Sequence, residues 1–187
     1  IMTKTLFRDD AYMKETPARV LAVNERGGII LDQTVFYATS GGQPGDSGAL
    51  IMADGRAIKI ATTVYDADRA TIVHVPAEGE TSPPMGASVL ARLDWEARHI
   101  RMRVHTALHL LTVALPYPVT GGAIGDGDGR LDFDIPDAGL DREEIARKVN
   151  DAIATHADVT FRWITDSELE ANPGLVKTMS VKPPMGS

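Results

Sequence analysis

His105 and His109 stand four residues apart in the run Arg103-Val-His-Thr-Ala-Leu-His-Leu-Leu111. On an α-helix that spacing turns by roughly 40°, so two imidazoles leave one face and their ring nitrogens can meet a single cation, as zinc ligands do at about 2.0–2.1 Å. The same spacing also describes two ordinary histidines on a helix face, and spacing alone leaves both readings open. The sequence contains no cysteine, so no thiolate completes a mixed site and no cysteine nucleophile exists. Thr106 occupies the position of the glutamate in the H-E-x-x-H metalloprotease pattern, which excludes that chemistry. No Ser-His-Asp arrangement follows from the remaining spacings, and His74 and His156 read as structural.

A second candidate is the run Thr39-Ser-Gly-Gly-Gln-Pro-Gly-Asp-Ser-Gly48. Glycine, proline, aspartate and serine are the residues of turns, so a plain hairpin loop is one reading. The other is a ligand loop: Gly41 and Gly42 let a ligand approach the backbone, while Thr39, Ser40 and Gln43 offer uncharged donors and acceptors. It has no G-x-G-x-x-G register and is not a dinucleotide fingerprint.

Arg98, His99, Arg101 and Arg103 form a basic stretch leading into the histidines. They suit a solvated helix face with a few ion pairs, or a set of phosphate contacts, and in an acidic protein such a concentration is informative. Asp126 and Asp128 invite a calcium reading. Arg130 at the fifth position and the lack of a twelfth-position glutamate break the EF-hand pattern, which leaves a glycine-rich loop before a strand.

These groups must be held by elements, and the elements change character at Asp94. Before it, Ala18 to Val23 and Ile29 to Asp32 read as a hairpin whose glycines, Gly27 and Gly28, supply positive-φ positions. Ala57 to Tyr65, Thr71 to Val75 and Ala87 to Leu93 are further strands. Many short strands without a credible helix predict a small barrel or sandwich. After Asp94, a plausible N-cap, no Pro or Gly interrupts Trp95 to Leu115, which predicts a long helix stopped by Pro116. Leu131 to Ile135 and Val159 to Trp163 alternate as strands do. Asp141 with Glu144 starts a helix through about Thr155 with Ile145, Val149 and Ile153 on one stripe, and Thr165 with Glu168 caps a short one ending near Pro173. Val181 to Ser187 ends on turn formers, the pattern of a chain that stops inside a domain. The fold class is α+β, with a β-barrel domain over 1–93 and an α+β domain over 94–187.

With 187 residues, 43% of them hydrophobic, the chain can bury an ordinary core. A formal charge of -7 argues against broad attachment to nucleic acid or anionic membrane, so a polyanionic partner must meet a local basic patch. No apolar run spans a bilayer, no signal peptide is read, and the lack of a disulfide framework makes the cytoplasm the default location.

Taken in order, Phe36-Tyr-Ala-Thr-Ser-Gly-Gly-Gln-Pro-Gly-Asp-Ser-Gly48, the His105/His109 run, and Gly121-Gly-Ala-Ile-Gly125 leading to Leu131-Asp-Phe-Asp134 resemble the editing domain of alanyl-tRNA synthetase and its freestanding AlaX-type relatives. The resemblance covers nearly the whole chain. It implies a glycine-containing β-barrel followed by an editing domain, and a hydrolase that removes serine or glycine wrongly esterified to tRNA(Ala) in support of translation fidelity. It implies zinc held by His105 and His109, with two further ligands from a Cys-x-x-x-His motif that this sequence does not contain. By analogy with family members it implies Thr39 and Gln43 as the catalytic-site residues, Thr39 making the contact that reads the seryl hydroxyl and Gln43 lining the same pocket, with Ser40, Gly41 and Gly42 binding the substrate. Arg98, Arg101 and Arg103 are assigned to the tRNA acceptor end from charge and position. The alternative is a noncatalytic tRNA- or metal-binding module that has only half of the zinc site.

Overall fold

The computed structural model describes residues 2–137 and 139–176, so the Val181 to Ser187 tail lies outside the described residues. The chain divides into two compact units, Ile1–Met102 and Arg103–Ser187.

The first unit opens with β1 (Lys4–Thr5) and a one-turn helix α1 (Leu6–Asp9), an element absent from the sequence reading. There follow β2 (Glu15–Val23), β3 (Ile29–Leu31), β4 (Gln33–Thr34), β5 (Gly48–Met52), β6 (Ala57–Tyr65), β7 (Ile72–Pro76) and β8 (Ser88–Leu93). Six of these close a barrel in the order β2-β3-β7-β6-β5-β8, each neighbouring pair antiparallel, while β1 and β4 form a separate parallel pair. Period-two alternation explains the strands: Thr16, Ala18 and Val20 of β2, and Val89, Ala91 and Leu93 of β8, turn inward. Ala18, Val20, Val89, Ala91 and Leu93 pack with Ile29, Leu31, Phe36, Leu50, Ile58 and Ile60 in one core, and removal of this apolar surface from water is the main force that closes the barrel. Strand β5 is missing from the sequence reading because the turn-like run ending at Gly48 hides its start.

The β2–β3 hairpin forms as expected, with one amendment. Only Gly27 has a positive φ, of 81°. Gly28 is required by crowding, since a Cβ there would lie 2.4 Å from Val73 Cγ1.

Helix α2 (Trp95–Ala114) follows β8, and the Asp94 carboxylate accepts the Ala97 amide at 3.2 Å as its cap. In the second unit β9 (Val119–Ile124) pairs with β10 (Gly129–Phe133). The glycine-rich loop expected over 121–130 is therefore half strand, because its glycines serve close packing. A Cβ on Gly129 would stand 2.7 Å from Val104 Cγ1, and one on Gly122 would stand 3.0 Å from the Arg130 carbonyl. Helix α3 (Arg142–Ala154) starts at Asp141, whose carboxylate accepts the Glu143 and Glu144 amides, and α4 (Asp166–Ala171) starts at Thr165, which accepts the Glu168 amide. A short 3-10 turn, Pro173–Leu175, ends the described elements. The strand expected over Val159 to Trp163 does not form: Val159, Phe161 and Trp163 are exposed, and without a partner strand among the described residues the alternation makes no ladder. No described helix is long and apolar enough to cross a membrane.

One polar chain runs through the barrel core. His74 is fully buried; its Nδ1 lies 3.0 Å from the Ile29 carbonyl and its Nε2 2.8 Å from Thr34 Oγ1, which also accepts the Phe36 amide at 3.0 Å. A carbonyl can only accept, so Nδ1 carries the proton and Nε2 accepts from the Thr34 hydroxyl. Burial lowers the His74 pKa to about 4 from 6.5, against the raising effect of the Ile29 bond. A base whose folded pKa is depressed leaves stability intact above the unfolded value and removes it as protons bind the unfolded chain. The stability should therefore fall by about 3 kcal/mol between pH 6.5 and pH 4 on this account. Urea midpoints across that range check it: His74→Phe should be less stable at pH 7 yet show a flatter profile, and an unchanged slope would refute the assignment.

Candidate functional site

In the first unit the Thr39–Gly48 run is a tightly tied loop. Ser40 and Gln43 exchange backbone hydrogen bonds at 3.2 and 2.9 Å, and Gly41 and Gly42 between them have φ of 56° and 79°. Two consecutive positive φ values are what a type I′ turn needs, and glycine adopts them without steric cost. Tyr37 braces the turn from below, its hydroxyl 2.6 Å from Ser40 Oγ, while its ring meets Phe7 edge-on. Thr39 fastens the loop to β6: its amide and its hydroxyl both donate to the Thr63 carbonyl, at 3.0 and 3.2 Å, and its Oγ1 accepts the Gly45 amide at 2.8 Å. Gly45 has no room for a side chain, since a Cβ would sit 1.8 Å from the Thr63 carbonyl oxygen. Thr39, Gly41 and Gly42 are exposed, Ser40 is half-buried and Gln43 is buried. The face open to a ligand is thus one hydroxyl and a stretch of bare backbone.

The arginines divide. Arg98 is 3% exposed, and its Nε and Nη2 donate to Asp46 Oδ2 at 2.8 and 2.5 Å, while Nη2 also reaches the Val35 carbonyl and Nη1 the Ala11 carbonyl. Arg101 is buried and donates to the Gly45 carbonyl at 3.0 Å. Both guanidiniums, assigned to the tRNA acceptor end from charge and position, lie buried against loop atoms, where a buried carboxylate and buried carbonyls need donors. Arg103 alone of the three is exposed. His99 stacks on Trp95 with centroids 5.3 Å apart, and Lys14 Nζ lies 4.9 Å from the Trp95 centroid.

Asp46 is the residue that sequence reasoning passed over, although a lone carboxylate in an otherwise uncharged loop was a visible signal. Its side chain is 1% exposed. Its Oδ2 accepts the Tyr37 amide at 2.7 Å as well as Arg98, its amide donates to the Tyr37 carbonyl, and its carbonyl accepts the Thr63 hydroxyl at 2.9 Å.

In the second unit His105 and His109 project from one side of α2. Their Nε2 atoms are 3.2 Å apart and their rings overlap with centroids 4.9 Å apart. Two nitrogen ligands on one tetrahedral zinc stand roughly 3.3 Å apart, so the pair fits two of the four positions. Among the described residues no group of three or more His, Cys, Asp or Glu side chains could hold a metal ion. His105 is exposed at its surface, yet neighbouring atoms desolvate part of the ring, and this, followed by the like charge of His109, lowers its pKa. A lowered pKa keeps the imidazole neutral and able to donate a lone pair.

A model of the class II (A) tRNA synthetases matches residues 5–97. The chain is 36% identical over 185 residues to an alanine–tRNA ligase of Pyrobaculum arsenaticum, an alignment of 93% of this chain and 20% of the ligase. It is 33% identical over 192 residues to the alanyl-tRNA editing protein AlaX-M of Methanosarcina mazei, covering 96% of this chain and 74% of that protein. With AlaX-M of Pyrococcus horikoshii the identity is 32% over 173 residues, with 88% and 76% covered. The chain therefore spans about a fifth of the ligases it matches and about three quarters of the editing proteins.

The loop geometry sets a stability test. Gly45→Ala should cost roughly 3 kcal/mol or more, because the methyl meets backbone that cannot yield. Gly55→Ala, at a positive φ but facing open space, should cost about 1 kcal/mol. Chemical denaturation of the two variants reads the difference, and equal losses would refute the close approach.

Proposed function

The chain belongs to the family of the AlaX-M alanyl-tRNA editing proteins, and from that membership we propose that it is an aminoacyl-tRNA deacylase. It acts in trans, in the cytoplasm, on tRNA(Ala) wrongly charged with serine or glycine, and hydrolyses the aminoacyl ester. The observation that carries the reading is the convergence of His105 and His109 Nε2 to 3.2 Å.

A zinc held by those two nitrogens would polarise the ester carbonyl, activate a water, or anchor the substrate's amino group. The domain that carries the pair is read as the editing domain, over 94–187. The remaining roles belong to the chain's own side chains. Thr39 has its hydroxyl proton directed to the Thr63 carbonyl and one lone pair engaged by the Gly45 amide. What it retains for a substrate is an accepting lone pair. A seryl hydroxyl can donate to that lone pair, and an alanyl methyl cannot, so the hydroxyl group itself is the feature read. Gln43, buried in the same loop, is assigned beside Thr39 on the strength of the family resemblance. Ser40, Gly41 and Gly42 present backbone close enough to accept the sugar-linked end of the RNA. Arg103, exposed on α2, is the arginine available to a phosphate.

Deacylation of seryl- and alanyl-tRNA(Ala), with zinc content measured on the same sample, tests the proposal. The seryl ester should be cleaved and the alanyl ester spared. His105→Ala should lose bound zinc and lower the rate by more than the roughly 10- to 100-fold that outer-shell changes produce. Thr39→Val should lower the seryl-to-alanyl ratio by about tenfold, the worth of one hydrogen bond, while Thr39→Ser keeps it. Stable tRNA binding with no cleavage of either ester would replace this reading by that of a noncatalytic binding module.

A further inference from the structure

Building on that deacylase reading, we propose that the buried Asp46–Arg98 ion pair is a positioning device that holds the Thr39 hydroxyl in the orientation on which serine selectivity depends. Neither residue reaches solvent, so their contribution acts through the loop.

The loop from Tyr37 to Asp46 is closed at its neck by two bonds in opposite senses: the Asp46 amide to the Tyr37 carbonyl at 2.9 Å, and the Tyr37 amide to Asp46 Oδ2 at 2.7 Å. The second depends on where the carboxylate sits, and Arg98 decides that. Its Nε and Nη2 both bind Oδ2, so the carboxylate is pulled toward one oxygen, and Oδ1 is buried without a partner. An oxygen left bare inside the protein is costly, and the arrangement persists because the guanidinium is itself anchored by the carbonyls of Val35 and Ala11. Gly45, immediately before Asp46, donates its amide to Thr39 Oγ1. A movement of the Asp46 carboxylate is therefore passed through a single peptide to the hydroxyl that meets the substrate. Thr63 completes the linkage, because its hydroxyl holds the Asp46 carbonyl and its own carbonyl accepts the Thr39 proton.

Lysine is not a substitute for Arg98 under this proposal, since an ammonium keeps the charge without the planar fork that binds a carboxylate and two carbonyls together. The test uses the full chain carrying Arg98→Lys and, separately, Thr63→Val, which preserves side-chain shape and removes only the bond to the Asp46 carbonyl. For each, the seryl and alanyl deacylation rates are measured beside amide hydrogen exchange at Tyr37 and Gly45. Arg98→Lys should lower the seryl-to-alanyl ratio about tenfold or more and speed exchange at both amides. Thr63→Val should change both in the same direction by less, and it remains informative if Arg98→Lys fails to fold. Faster exchange with an unchanged ratio in a folded variant would show the pair to be merely structural and overturn the inference. Wild-type protein that cleaves neither ester would instead overturn the deacylase reading on which it rests.

Discussion

A carboxylate enclosed in protein with a guanidinium as its counter-charge is the constraint around which the first unit is organised. Neither partner could be buried alone: an isolated ion at either position would face a desolvation penalty of several kcal/mol. Together, Asp46 and Arg98 let the start of a long helix, the segment before the loop and the loop itself meet at one point. The consequence is a glycine-rich stretch tied at its neck and along its length by hydrogen bonds to Tyr37, Thr39 and Thr63. Its glycines serve different ends, two of them by adopting a left-handed turn and one by letting backbone touch backbone.

The barrel supplies the platform for that loop. Because β2 is paired on both sides, with β3 and with β8, and every other barrel strand likewise has two neighbours, the strands that border the loop cannot shift register singly. Strand β6 is the nearest support, and one of its carbonyls, that of Thr63, takes both the amide and hydroxyl of Thr39. The buried His74 adds a directional element, because its two ring nitrogens distinguish the carbonyl of β3 from the hydroxyl of Thr34 and so specify one packing of the core.

Local signals in the sequence carried much of this arrangement. The alternation in Ala57 to Tyr65 marks β6 to the residue, the caps at Asp94, Asp141 and Thr165 lie where short polar side chains meet helical stretches, and the convergence of His105 and His109 follows from helical geometry alone. What escaped depends on partners distant in the chain. Arg98 reads as a surface cation until Asp46, 52 residues earlier, is seen to require it. Val159 to Trp163 alternates like a strand, yet pairing is a property of two segments, and no described segment pairs with it. Gly121 and Gly122 read as a loop because the neighbours that crowd them in a strand cannot be seen in a composition.

Closure of the barrel joins Glu15 of β2 to Arg92 of β8, 77 residues apart, with their side chains in an ion pair across the seam. A chain made at roughly 5–20 residues per second exposes one edge of β2 for about 4–15 s before its partner exists. Contacts of such long range also slow the folding of β-rich domains into the millisecond-to-second range. Until β8 is made, β2 lacks one of its two barrel neighbours, and an unpaired strand edge is a template on which strands of another chain can pair.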